Sequence, residues 1–112
     1  MRVVWSPTAL GQLDEIYDAI AVERDIATAV KWFFKIQDAA DGLADFPLSG
    51  PSIPECAFEK HFTDFVGLRQ LIVRPYRIIY EAKDDVCNIL GVMRASRLIG
   101  LAKSRQGVDS HS

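Results

Sequence analysis

The apolar residues of this chain follow a helical repeat up to one proline-rich stretch and abandon it afterwards, and that single change of period limits the fold more than any other feature. Leu10, Leu13, Ile16, Tyr17 and Ile20 recur at helical spacing, with Asp14, Glu15 and Asp18 on the other side, so residues 7 to about 22 form an amphipathic helix. Ser6-Pro7 supplies its start, an N-cap followed by a proline at the first helical position, and Val3-Val4-Trp5 before it reads as a short strand. Asp25 is a second N-cap. From it Ile26, Ala29, Val30, Phe33, Ile36, Ala40 and Leu43 trace another apolar stripe, which stops at Phe46-Pro47. So short a link between the helices predicts an antiparallel hairpin.

Residues 47–64 hold three prolines and no period, the mark of a loop with room for one helical turn. Three runs rich in Val, Ile, Leu and Tyr follow, Phe65 to Val73, Tyr76 to Ala82 and Val86 to Met93, and Lys83-Asp84-Asp85 joins the last two as an antiparallel hairpin. Ala95 to Lys103 fits a short final helix, and 106–112 a disordered tail after a single domain over 1–105. The expected fold is α+β, in the order β-α-α-β-β-β with a short C-terminal helix, its helix hairpin lying on one face of a mostly antiparallel sheet.

A chain of 112 residues, 49% hydrophobic and 25% charged, is expected to be one globular unit without a membrane segment or signal peptide, hence cytoplasmic. Cys56 and Cys87 lack the spacing of a metal knuckle or redox motif and are expected to be reduced structural thiols; no metal or cofactor is predicted. His61 reads as a loop histidine.

Net charge is −2, but its distribution is uneven: residues 1–65 hold five Lys/Arg against eleven Asp/Glu, and residues 66–106 hold eight against three. Such a basic second half suits an anionic partner or merely a solvated face. Trp5, Tyr17, Phe33, Tyr76 and Tyr80 are expected in the core, while Trp32 and Phe34 flank the main stripe of the second helix on opposite sides. That helix is therefore apolar over more of its circumference than one sheet contact needs, and either the first helix or a partner covers the excess.

Four segments together resemble the ParE/RelE toxin superfamily over roughly residues 2–97: the strand ending in Trp5-Ser6-Pro7, the helix with Ala9, Leu13, Ile16 and Tyr17, the turn from Leu43 through Phe46-Pro47 to Gly50, and Leu68-Arg69 followed by Tyr76-Arg77-Ile78-Ile79-Tyr80. The resemblance implies a toxin neutralised by a cognate antitoxin, in one of two chemistries. ParE-like members inhibit DNA gyrase, and RelE-like members cleave messenger RNA on the ribosome. Such cleavage needs a base, cations for the phosphorane and a proton donor, which RelE-like chains take from sheet lysines and arginines and a C-terminal tyrosine. Arg94 to Ser112 contains no tyrosine. The six residues between Arg69 and Tyr76 also resemble the longer ParE-type strand, and the acidic overall charge suits a ribosome-binding nuclease poorly. The chain departs from the superfamily where a His-x-x-Arg-like ending is common and Met93-Arg94-Ala95-Ser96-Arg97 stands.

These considerations predict a non-enzymatic gyrase inhibitor, with Arg69, Arg77, Arg94 and Arg97 contacting the target and Trp32 and Phe34 contacting the antitoxin. The alternatives are a ribosome-dependent endoribonuclease using Arg69, Arg77 and Arg94, and a degenerate toxin that survives as an interaction partner. Arg69 and Arg77 also fit plain structural pairing with Glu81 or Asp64.

Overall fold

A computed structural model describes residues 1–53 and 67–96. Strand β1 (Arg2–Trp5) leads into helix α1 (Pro7–Glu23), and α2 (Ile26–Asp41) runs into a 3-10 turn at Gly42–Ala44. Strands β2 (Arg69–Val73), β3 (Tyr76–Lys83) and β4 (Val86–Arg94) follow. The Ser6 hydroxyl accepts the Ala9 N–H at 3.0 Å and the Asp25 carboxylate accepts the Thr28 N–H at 2.6 Å, so both helices begin where the capping residues place them. Hydrogen bonds from Thr28 hold the Asp25 carboxyl below its ordinary pKa.

The sheet order is β1-β4-β3-β2, with β1 parallel to β4 and the other pairs antiparallel. That is the α+β arrangement expected from the change of period. Leu13, Ile36, Ala40 and Leu43 from the helical half pack on Ile78, Tyr80, Cys87 and Ile89 from the sheet. A bulge in β4 shifts the register between Ile79 and Tyr80, whose partners are Gly91 and Ile89. It turns Ile89 and Val92 toward the same core although they are three residues apart. Beyond the end of β1, the Val92 N–H donates to Gln12 Oε1 at 2.8 Å and so ties α1 to the sheet.

Several expectations are corrected. Of the strand predicted from Phe65 to Val73, Phe65 and Val66 lie outside the described residues; Gly67 takes a left-handed φ of 93° that interrupts extended chain, and β2 runs from Arg69 to Val73. Ile26 and Val30, assigned to the inward stripe of α2, are 64% and 38% exposed, and Leu10 of α1 is 48% exposed. Of α2, Ala29, Ile36 and Ala40 are fully buried, and Trp32, Phe33 and Ala39 pack half-buried against the core, because one helix presents a narrow arc to a single layer. Tyr76 and Tyr80 are buried as expected, whereas Trp5, Tyr17 and Phe33 are half-buried. Cys87 is a free, buried thiol whose pKa burial pushes up. Cys56, His61 and Asp64, most of the predicted final helix and the tail lie outside the described residues.

Tyr80 fastens the chain leaving the helices to the sheet. Its hydroxyl donates to the Pro47 carbonyl at 2.8 Å and accepts the Gly50 N–H at 3.0 Å. Gly50 is crowded: a Cβ there would lie 2.3 Å from the Gln70 carbonyl oxygen and 2.9 Å from the Tyr80 ring. Tyr80→Phe is expected to lower stability by about 1–3 kcal/mol, since it leaves the Gly50 N–H buried without a partner. Gly50→Ala should cost more than Tyr80→Phe, because backbone rather than a flexible side chain must move. Urea denaturation of both variants checks the ranking.

Candidate functional site

The three described arginines predicted to meet a target are held in three different places. Arg69 opens β2, opposite Tyr80, and donates from Nη1 to the Gly50 carbonyl at 2.8 Å, which commits it to the Tyr80 anchor. Arg77 sits on the sheet face away from the helices, in register between Ile72 and Met93. It is only 4% exposed and donates from Nη1 to Gln70 Oε1 at 3.2 Å, and its Nε has no hydrogen-bond partner among the described residues. Desolvation lowers its pKa, yet a guanidinium stays charged at any physiological pH. Arg94, at the end of β4, is exposed and lies with Cζ 5.7 Å from the centroid of the Tyr76 ring. Arg97 falls outside the described residues.

Structural pairing with Glu81 does not occur. Glu81 is four residues along β3 from Arg77, about 13 Å at strand rise, and its side chain leaves the face opposite to that of Arg69. Arg69 and Arg94 share the helix-side face, but their cross-strand partners Tyr80 and Tyr76 are again about 13 Å apart. The arginines do not converge on one atom.

Trp32 and Phe34 are separated as well. Two residues along a helix are about 200° apart around its axis, so their side chains leave α2 on nearly opposite sides. Trp32 is half-buried and packs edge-on against Tyr76, ring centroids 5.6 Å apart, with Lys35 Nζ 4.6 Å above its ring. Together with Arg94 this forms a row, Lys35, Trp32, Tyr76 and Arg94, in which each cation lies over an aromatic ring. Phe34 is 53% exposed on the outer face, continuing Ile26 and Val30 at i, i+4 and i+8, and meets Phe33 edge-on, which in turn meets Tyr17 edge-on. One predicted patch is therefore two surfaces.

Sequence reasoning missed Lys35 and Tyr76 as members of the cationic row. The Trp32/Lys35 spacing of three was a usable signal; the Tyr76 contact was not, since it joins a helix to a strand over 40 residues away. Among the described residues no group of His, Cys, Asp or Glu is placed to hold a metal, and no helix is long and apolar enough to cross a membrane.

A family model described as the ParE toxin of the type II toxin–antitoxin system, parDE, matches residues 3–99. The chain is also similar to a solved structure described as the chromosomal ParDE TA system from P. aeruginosa, with a TM-score of 0.68 and 24% identity, covering 84% of this chain and 95% of that one. At that identity the likeness speaks for the fold. No curated protein matches.

A buried guanidinium without a carboxylate among its described neighbours makes little net contribution to stability, because desolvation offsets its single hydrogen bond. Arg77→Met is expected to keep the unfolding free energy within about 1 kcal/mol of the parent or to raise it. A loss well above that, read from urea denaturation, would expose an ionic partner.

Proposed function

Because the chain belongs to the ParE toxin family of type II toxin–antitoxin systems, we propose that it arrests growth by binding DNA gyrase without cleaving a nucleic acid, and that a cognate antitoxin holds it inactive in the cytoplasm. The observation that carries the choice of mechanism is the dispersal of the arginines. Phosphoryl chemistry on messenger RNA needs cations and proton-transfer groups within a few ångströms of one phosphate. Here Arg69 serves the Gly50 carbonyl, Arg77 is buried on the far face and Arg94 lies over Tyr76. The C-terminal stretch from Arg94 also has no tyrosine to protonate a leaving oxygen. Dispersed cations suit recognition, where each exposed contact adds a modest share.

In this reading Arg94 is the described arginine best placed to reach gyrase, and Arg97, three residues on, extends the same contact. Arg69 and Arg77 support it by shaping the sheet. The exposed Phe34, Val30 and Ile26 stripe and the half-buried Trp32 are the apolar surfaces available to an antitoxin.

Induction without the antitoxin should arrest growth, and co-expression of the antitoxin should restore it; full viability with abundant soluble protein would leave only the degenerate reading. Purified protein should block gyrase supercoiling or trap cleaved DNA at roughly stoichiometric amounts while ribosome-bound messenger RNA stays intact. Arg94→Ala combined with Arg97→Ala should weaken inhibition several-fold with no change of fold, as loss of surface contacts does. Removing a phosphorane-stabilising arginine from a nuclease would instead lower its rate by about 100-fold or more. Codon-positioned cleavage abolished by Arg94→Ala, with supercoiling unaffected, would establish the endoribonuclease in its place.

A further inference from the structure

Among the described residues, the outer edge of β2 is covered along half its length and bare along the rest. The Gln70 N–H donates outward to the Pro51 carbonyl at 3.0 Å, and the Leu68 carbonyl accepts the Ile53 N–H at 3.1 Å, in an antiparallel bridge between Ser52 and Arg69. Backbone groups in an antiparallel strand alternate sides, so residues 68, 70 and 72 all point outward while 69, 71 and 73 bond to β3. Gly50 closes over the Gln70 carbonyl, and the chain of residues 50–53 reaches no further along β2. Ile72 is therefore the first residue whose N–H and C=O both face outward with no partner among the described residues. Its side chain is 42% exposed.

We propose that this bare edge at Ile72 is a β-addition site that receives an extended, acidic and apolar segment of the antitoxin. The inference rests on the antitoxin-bound reading above. Unpaired outward N–H and C=O groups are satisfied by another extended chain, which adds backbone hydrogen bonds and seats alternate side chains on the two faces. The chemistry of those side chains follows from the surroundings. On the helix side lie Trp32 and its capping Lys35, packed on Tyr76, the cross-strand partner of Val73, with Arg94 over that tyrosine. Arg74 stands exposed at the end of the strand. A carboxylate on the added segment meets Lys35 or Arg74, and apolar side chains meet Trp32 on one face and Ile72 on the other. A second copy of this chain is a poorer occupant, because β2 against β2 would bring Lys35 and Arg74 of both copies to one seam.

Amide hydrogen exchange read by NMR tests this on the full chain, alone and in the complex co-purified with the product of the adjacent reading frame. In the free protein the Ile72 amide is expected to exchange readily, whereas the Gln70 amide, bonded to Pro51, is protected. In the complex the Ile72 amide should slow by at least about 100-fold. Ile72→Pro removes only an outward donor, a substitution that edge strands tolerate, and should weaken the complex about tenfold or more with the circular dichroism unchanged. Lys35→Glu should weaken it as well. A capped peptide alternating Glu and Val should perturb the Ile72 amide more strongly than its Lys–Val counterpart. Protection of Ile72 in the free chain overturns the proposal: if it survives dilution, the chain covers its own edge, and if it fades on dilution, a second copy does. A stable complex in which Ile72 still exchanges freely also overturns it, and decides the matter even if Ile72→Pro fails to fold. Failure to form any complex, by contrast, removes the antitoxin-bound reading itself.

Discussion

The Tyr80 hydroxyl holds the two halves of this protein in register. It accepts from Gly50 and donates to Pro47, so the chain leaving the helix hairpin is pinned to the middle strand of the β2-β3-β4 antiparallel ladder before it turns to meet the sheet edge. Burial raises the pKa of this phenol, which keeps the donor proton in place at neutral pH. Because Gly50 is fixed, residues 51–53 lie along β2 only as far as Gln70. The limit of the edge that residues 51–53 cover, short of Ile72, follows from that one buried phenol. Arg69 adds a third bond to the same turn.

Arg69, Arg77 and Arg94, drawn from the basic second half of the sequence, do not form one patch in the fold. Strand alternation sends Arg77 to the face opposite Arg69 and Arg94, and strand length separates the latter two. Among the described residues Arg77 makes one hydrogen bond, from Nη1 to Gln70, and its Nε has no partner; it stands in register between Ile72 and Met93, where replacing a charge with an apolar group of similar size is commonly neutral. Cation–aromatic contacts take up Arg94 and Lys35 and leave both exposed at the rim.

Apolar surface is distributed with the same unevenness. Each helix offers the core a narrow arc, so Ala29, Ile36 and Ala40 are buried while Ile26, Val30 and Phe34 run along the outside of α2. A stripe at i, i+4 and i+8, whose Phe34 meets Phe33 edge-on as Phe33 meets Tyr17, is an extended surface rather than scattered residues. It lies on the other side of α2 from the Trp32 row, so an antitoxin that uses both must wrap the helix or bind with two segments.

The amino-acid sequence alone determined the element order, both helix starts and the fold class, because capping side chains act within three residues and periodicity records which face is apolar. It determined the family signature for the same reason, as the motifs lie within or beside single elements. Tertiary structure alone decided which candidates meet. The β4 bulge that turns Ile89 and Val92 to one face breaks the period that sequence reading relies on, and Gly67 interrupts the extended chain ahead of β2 through a backbone angle that composition does not encode. The contacts of Trp32 with Tyr76 and of Tyr80 with Gly50 join residues 30 or more positions apart. Their partners are chosen by sheet register and helix placement, which no local pattern specifies, and so the candidate site became two surfaces and one bare edge only when the chain closed.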